Sequence, residues 1–224
     1  MIKVITWFKR KPGMDIDDFR RYWRVEHPKA VLQLPHLRKY VQNHVSDNSY
    51  RAAEPLADGV AETWWDDLAA LRAQRATDAM AALMEDEDRF IDPGRRDQLV
   101  AEEIPIRNVG IPVGGGLKQI VFVKRRADLA HDRAMAHWRD VHGPLALVSS
   151  DLGRYVQNHA LSHQYREGRP KPTYDGLTMA WFADIDAARR AGASPEMAAV
   201  ADDQPLFLDP TAMVMLNVTE HHII

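Results

Sequence analysis

Four histidines and two tyrosines recur in this chain at one fixed spacing, and imidazole and phenol are the side chains best suited to moving protons near neutral pH. Tyr40-Val41-Gln42-Asn43-His44 returns as Tyr155-Val156-Gln157-Asn158-His159, 115 positions later, and His27 returns as His142 at the same offset. In each set a histidine can act as acid or base, while the tyrosine donates a hydrogen bond to a carbonyl or phenolate oxygen. Glu62 adds a carboxylate beside Trp64 and Trp65, where desolvation raises a pKa and makes a base. Its counterpart is Met179, and this asymmetry points to the first copy as the working one.

Each of these residues also has a structural reading. Ile16, Phe19, Trp23 and His27 lie along one helix face, so the histidine can simply answer the dipole at the helix end. His44 and His159 close strands, where polar residues are commonly solvated. Tyr40 and Tyr155 can be core aromatics with a backbone partner for the hydroxyl. Asn43 and Asn158 alternate to the other strand face, and Glu62 is an ordinary solvated acid if its face is outward.

The elements that must position these residues are themselves repeated. Trp23-Arg24 matches Trp138-Arg139 at the offset of 115; beyond a two-residue insertion the offset is 117, pairing Asp58-Gly59 with Asp175-Gly176, Trp64 with Trp181, Phe90 with Phe207 and Asp92-Pro93 with Asp209-Pro210. A fixed long period marks a duplicated structural unit. In the first copy Ile2 to Phe8 reads as a strand and Asp15 caps a helix to about Glu26. Leu37 to Val45 and Gly59 to Trp65 are strands, and a helix in two pieces follows, the second capped by Thr77. Asp92-Pro93-Gly94 is a turn and Gln98 to Ile104 a fourth strand. The order strand, helix, strand, strand, helix, strand is the ferredoxin-like plan. The fold class expected is α+β: residues 1–104 and 117–224 form two ferredoxin-like units joined by a linker over 105–116, with their open sheet faces buried together in an intrachain pseudo-dimeric α/β barrel.

Composition narrows the function. At 224 residues with 46% hydrophobic residues, two cores of ordinary domain size can be built. A net charge of −3 with interspersed signs gives no basic footprint for nucleic acid. No apolar run reaches the roughly 18 residues of a membrane span, no leader pattern opens the chain, and cysteine is absent. A cytoplasmic location is the expectation. His131, His137 and His142 do not share one helix face, no HExxH pair occurs, and Gly114-Gly115-Gly116 leads into a strand where a phosphate cradle would lead into a helix. No metal, flavin or nicotinamide cofactor is expected.

The stretches Phe19-Arg20-Arg21-Tyr22-Trp23 through His27-Pro28, Leu37 to His44, Asp58-Gly59-Val60-Ala61-Glu62-Thr63-Trp64 and Asp86-Glu87-Asp88-Arg89-Phe90-Ile91-Asp92 resemble the EthD family of the dimeric α/β-barrel superfamily. The second copy resembles it too, with Ala134 at the Phe19 position, Met179 at Glu62 and Gln204 at Glu87. The resemblance implies a small apolar cleft between sheet and helices in which histidine, tyrosine or acidic side chains transfer protons. It makes Trp7, Tyr22, Trp23, Trp64, Trp138 and Trp181 the expected walls for a small hydrophobic substrate. His27, Tyr40, His44, Glu62, His142, Tyr155 and His159 are the expected catalytic groups. The function expected is a cofactor-independent lyase or isomerase acting on an aromatic or polyketide-like molecule by decarboxylation, dehydration or isomerisation. A cofactor-free monooxygenase and a non-catalytic carrier are the alternatives, and a homodimer of the duplicated chain is compatible with the superfamily.

Overall fold

The computed structural model describes residues 1–51, 53–110, 115–168 and 170–224. In the first copy the elements are β1 (Ile2–Arg10), α1 (Ile16–Val25), the short α2 (Pro28–Val31), β2 (Leu37–Val45), β3 (Gly59–Trp65), α3 (Leu68–Ala73), α4 (Asp78–Glu87) and β4 (Ile91–Asn108). The second copy repeats them as β5 (Leu117–Val123), α5 (His131–His137), a single π turn at Trp138–His142, α6 (Gly143–Ala146), β6 (Leu152–Ala160), β7 (Gly176–Phe182), α7 (Ile185–Ala193), α8 (Glu196–Phe207) and β8 (Val214–His222). Both copies have the expected ferredoxin-like order.

Local chemistry sets the boundaries. Asp15 accepts hydrogen bonds from the amides of Asp17 and Asp18 and so caps α1, and Thr77 does the same for α4 through the Met80 amide at 3.1 Å. These bonds satisfy amides that a helix start would otherwise leave unpaired. Strand β4 is longer than its sequence suggests. The Asp92-Pro93-Gly94 stretch is part of it, with Gly94 N donating to Asp92 Oδ1 at 2.9 Å. At the other end Pro105 to Asn108, read from sequence as linker, continue the strand beside β6 with a register shift between Pro105 and Arg107. A bulge is one of the few sheet positions that tolerates proline, because no ladder amide is needed there. The linker residues 111–114 lie outside the described residues.

Two compact units emerge from the contacts: Met1–Val100 with Glu220–Ile224, and Ala101–Thr219. In the first unit β3 sits between β1 and β2, antiparallel to both, and the carboxyl-terminal segment adds to β2 through the Ile223 amide and the Tyr40 carbonyl at 3.0 Å. In the second unit β7 sits between β5 and β6, with β8 on β5 and the end of β4 on β6, again antiparallel throughout. The hydrogen-bonded order is thus β1-β3-β2 in the first unit and β8-β5-β7-β6-β4 in the second. Strands β4 and β8 each contribute residues to both units.

On the helix-facing side of the first sheet, Phe8, Phe19, Trp23, Phe90 and Ile91 form one buried cluster, and Val4, Val31, Leu34, Tyr40, Trp65 and Leu83 another. Phe19 and Trp23 are fully buried, and each such side chain contributes about 1.5–3 kcal/mol by leaving water. No helix among the described residues is long and apolar enough to cross a membrane.

Candidate active site

The repeated Tyr-Val-Gln-Asn-His pentad is a clamp between sheet and helix. Gln42 Nε2 donates to the Trp23 carbonyl at 2.6 Å and to the Tyr40 hydroxyl at 3.0 Å, while Trp23 Nε1 donates to the same hydroxyl at 3.0 Å. The Gln42 Oε1 left over lies 3.1 Å from His44 Nε2. An amide oxygen only accepts, so His44 carries its proton on Nε2. The second copy repeats each bond: Gln157 Nε2 to the Trp138 carbonyl at 2.8 Å, Gln157 Nε2 to the Tyr155 hydroxyl at 3.3 Å, and His159 Nε2 to Gln157 Oε1 at 2.9 Å.

His44 stacks on Trp23 at 4.3 Å between ring centroids, and His159 on Trp138 at 4.5 Å. Burial pushes both imidazoles down to about 3, so at neutral pH they are neutral donors fixed in the packing. Burial also raises the phenols of Tyr40 and Tyr155, which stay protonated. Gly59 and Gly176 belong to the same device. A Cβ on Gly59 would stand 2.4 Å from the Trp23 ring, and one on Gly176 2.5 Å from the Trp138 ring and 2.5 Å from the Asn158 carbonyl. Only glycine lets the indole close against the strand.

His27 and His142 are placed differently. His27 Nδ1 lies 2.7 Å from Asp86 Oδ2 and His142 Nδ1 lies 2.9 Å from Asp203 Oδ2. Burial pushes both rings below their ordinary value, and the carboxylate opposes that shift in each. A wide helical turn accompanies the placement. The His27 amide bonds the Tyr22 carbonyl, five residues back, at 3.1 Å, and in the second copy the same stretch is the π turn. At about 100° per residue His27 lies about 40° round the helix from Trp23 and so beside the buried stripe, and π turns are frequent at functional sites. With Nδ1 held by a carboxylate, Nε2 is the ring nitrogen available to a ligand, the arrangement that suits a general base.

Asp86 and Asp203 are the partners of these histidines that sequence reasoning missed. They correspond at the 117-residue offset, and that correspondence was the signal that could have found them. Each carboxylate has a second partner: the Tyr22 hydroxyl donates to Asp86 Oδ1 at 2.6 Å, and His137, at the Tyr22 position, places Nε2 2.9 Å from Asp203 Oδ1.

Glu62 does not join this group. Strand alternation puts it on the face opposite Tyr40 and His44, where it pairs with Lys3 at 2.5 Å and accepts from Asn43 Nδ2 at 2.8 Å, fully buried. Trp7 and Trp64 share that opposite face, with Trp64 under the ammonium groups of Lys3 and Lys39, each 4.6 Å from its ring. Trp181 lies likewise against Lys118 and Arg154. Tyr22 packs on Phe90 and Trp23 under His44. Of the six expected substrate-binding aromatics, Trp138 lines a cleft between sheet and helices.

That cleft is in the second copy. Its cavity of about 180 Å³ reaches Trp138, His142, Tyr155, Ser149, Gln119 and Gln204, and the remaining wall is largely apolar. The first copy has a cavity of about 430 Å³ bounded by Leu34, Trp65, Leu83, Glu87 and Arg96, and neither His27 nor Tyr40 is in its wall. Side-chain volume explains the difference. Val31, Leu34 and Trp65 pack over Tyr40, whereas the matching positions in the second copy are Ala146, Ser149 and Phe182. Leu71 and Gln74 likewise give way to Ala188 and Ala191. The smaller side chains open space beside the second dyad that the larger ones fill beside the first.

Comparison with known proteins agrees with the duplication. The EthD domain matches residues 11–94 and again 126–211, while no curated protein matches the chain. Among solved structures, an anthrone oxidase-like protein superposes with a TM-score of 0.67 at 9% identity over 99% of this chain and 92% of its own. A Fusobacterium nucleatum protein provisionally named a monooxygenase gives 0.62 at 6% identity over 98% and 91%. A chlorite dismutase variant from Candidatus Nitrospira defluvii gives 0.54 at 11% over 97% and 90%. At such identities what is shared is the fold. With its domain matched twice and together over most of the chain, this protein belongs to the EthD family.

Proposed function

We propose that the second-copy cleft is the working site of a cofactor-independent enzyme that moves a proton on a small hydrophobic ring compound, in a decarboxylation, dehydration or isomerisation. The observation that carries this reading is the buried His142–Asp203 pair opening onto an apolar cavity beside Tyr155. His142 Nε2 takes or returns the proton, Asp203 holds the ring in the Nδ1–H tautomer, and Tyr155 keeps a proton to donate to the substrate oxygen. The cavity is comparable to one of about 150 Å³ that admits benzene, so a single ring is the fitting substrate size and a fused polycycle is not. Among the described residues, its wall holds no aspartate, glutamate, lysine or arginine.

A second reading is a cofactor-free monooxygenase, favoured by the names given to two of the structural neighbours. There the same base would deprotonate an electron-rich phenol and dioxygen would accept the electrons. Screening monocyclic phenolic acids and ketones for carbon dioxide release, deuterium incorporation and oxygen uptake separates the two. With a substrate in hand, His142→Gln lowers turnover by about 10²- to 10⁴-fold, while His27→Gln leaves it within a few-fold. Turnover lost in His27→Gln but kept in His142→Gln would move the site to the first copy. Tight binding with no turnover would make the protein a carrier.

A further inference from the structure

The first-copy cavity differs from its second-copy counterpart at the positions that bear charge. Arg75, Glu87 and Arg96 stand where the repeat places Gly192, Gln204 and Met213, and all six residues line their respective cavities. Arg96 Nε lies 3.3 Å from Glu87 Oε2, so one of the two guanidinium groups is answered within the cavity. Arg75 has no ion-pair or hydrogen-bond partner among the described residues. The cavity therefore carries one positive charge in excess. The rest of its wall is mostly hydrocarbon and indole, from Leu34, Trp65, Met80, Leu83 and Met84. Its volume of about 430 Å³ lies within the range of small-molecule sites.

We infer that the first-copy cavity is a binding site for an apolar monocarboxylate, with the carboxylate on Arg75 and the hydrocarbon body against Trp65, Met80 and Leu83. The planar guanidinium fork matches a carboxylate through two parallel hydrogen bonds, and the apolar wall removes the body of the ligand from water. The second copy has no cation at the Arg75 or Arg96 positions, so the two cavities select ligands of different charge. The duplication has given one chain a neutral pocket beside a histidine–aspartate pair and an anion-selective pocket without one. This site stands independently of the reaction proposed for the second copy.

Calorimetric titration of the intact protein with 4-phenylbutyrate and with its uncharged amide tests the site. The acid binds about tenfold or more tighter than the amide. Arg75→Gln, at an exposed position that leaves the core intact, weakens the acid by about 10- to 100-fold, as expected for a lost charged hydrogen bond, and changes the amide by no more than about twofold. Glu87→Gln, the second-copy residue, releases Arg96 and tightens the acid several-fold. Ser149→Leu, which fills the other cavity, leaves acid binding unchanged. The inference is overturned if neither compound binds, if acid and amide bind equally, if Arg75→Gln retains full acid affinity, or if Ser149→Leu abolishes it.

Discussion

Asp203 Oδ2 lies 2.9 Å from His142 Nδ1, and its other oxygen faces His137 Nε2 at the same distance. Asp86 is shared in the same manner by His27 and the Tyr22 hydroxyl. The two copies thus differ in what competes for the carboxylate. A phenol offers a neutral donor at neutral pH, whereas an imidazole can offer a charged one.

Asp203→Asn should separate orientation from charge. The carboxylate raises the His142 pKa against the lowering effect of burial, so its removal moves the imidazole titration midpoint further down, as followed by NMR. Turnover on any substrate of the second cleft falls by about 10²- to 10⁴-fold. A midpoint that rises on losing the carboxylate would contradict the assignment of Asp203 as the His142 partner.

Acid should weaken the fold well above the usual carboxylate range. His44 and His159 titrate at about 3 when folded and near 6.5 when unfolded, so between these values the unfolded chain binds more protons. Their contribution to stability is present above about pH 6.5 and is lost as pH falls towards 3, by about 1.4 kcal/mol per pH unit for each ring. Urea unfolding at pH 6, 5.5 and 5 should report an uptake of at least about two protons, with His27 and His142 adding in the same direction. An uptake below one proton would show that the stacked imidazoles are not held neutral.

Gly176→Ala should destabilise more than Gly59→Ala. Both side chains collide with an indole, but at Gly176 the Asn158 carbonyl is also in the way, and backbone yields less readily than a ring. Overpacking of this kind costs about 1–3 kcal/mol. Equal or smaller loss at Gly176 in denaturant titrations would be inconsistent with the close strand approach described here.

Glu62→Gln is expected to cost stability and spare chemistry. It takes the carboxylate from a fully buried pair with Lys3, a change that typically costs about 3–5 kcal/mol, while turnover per folded molecule stays within a few-fold. A large fall in turnover at unchanged stability would bring Glu62 back to the reaction.

Much of the fold was legible because the repeat tests each element twice. The caps at Asp15 and Thr77, the alternation that sends Asn43 away from Tyr40, and the three short strands of each copy follow from local rules that the tertiary structure does not override. The site was less legible. The sequence drew attention to the pentad, whose identity in both copies reflects the demands of a packing clamp: Gln42 has three partners to satisfy and Trp23 needs Gly59. It also drew attention to Glu62, whose apolar neighbours do raise the cost of a charge. Lys3 answers that cost from the adjoining strand, and its position could be known only once β1 and β3 were paired in register. Asp86 stayed hidden among the acids of an exposed helical stretch. Its pairing with His27 joins two helices 59 residues apart in the chain, which no apolar periodicity reveals.

The sharing of β8 has a consequence for how the molecule is made. The first unit includes Glu220–Ile224, and Tyr40 in β2 meets Ile223 and Ile224 through main-chain bonds. Domains emerging from the ribosome ordinarily fold amino-terminal first. Here the earlier unit stays one strand segment short until the later one has been translated in full. An incomplete sheet leaves unpaired backbone groups along β2 during that interval, the kind of edge that recruits another chain. Production of this protein is therefore most exposed to misassembly while its second half is still being synthesised.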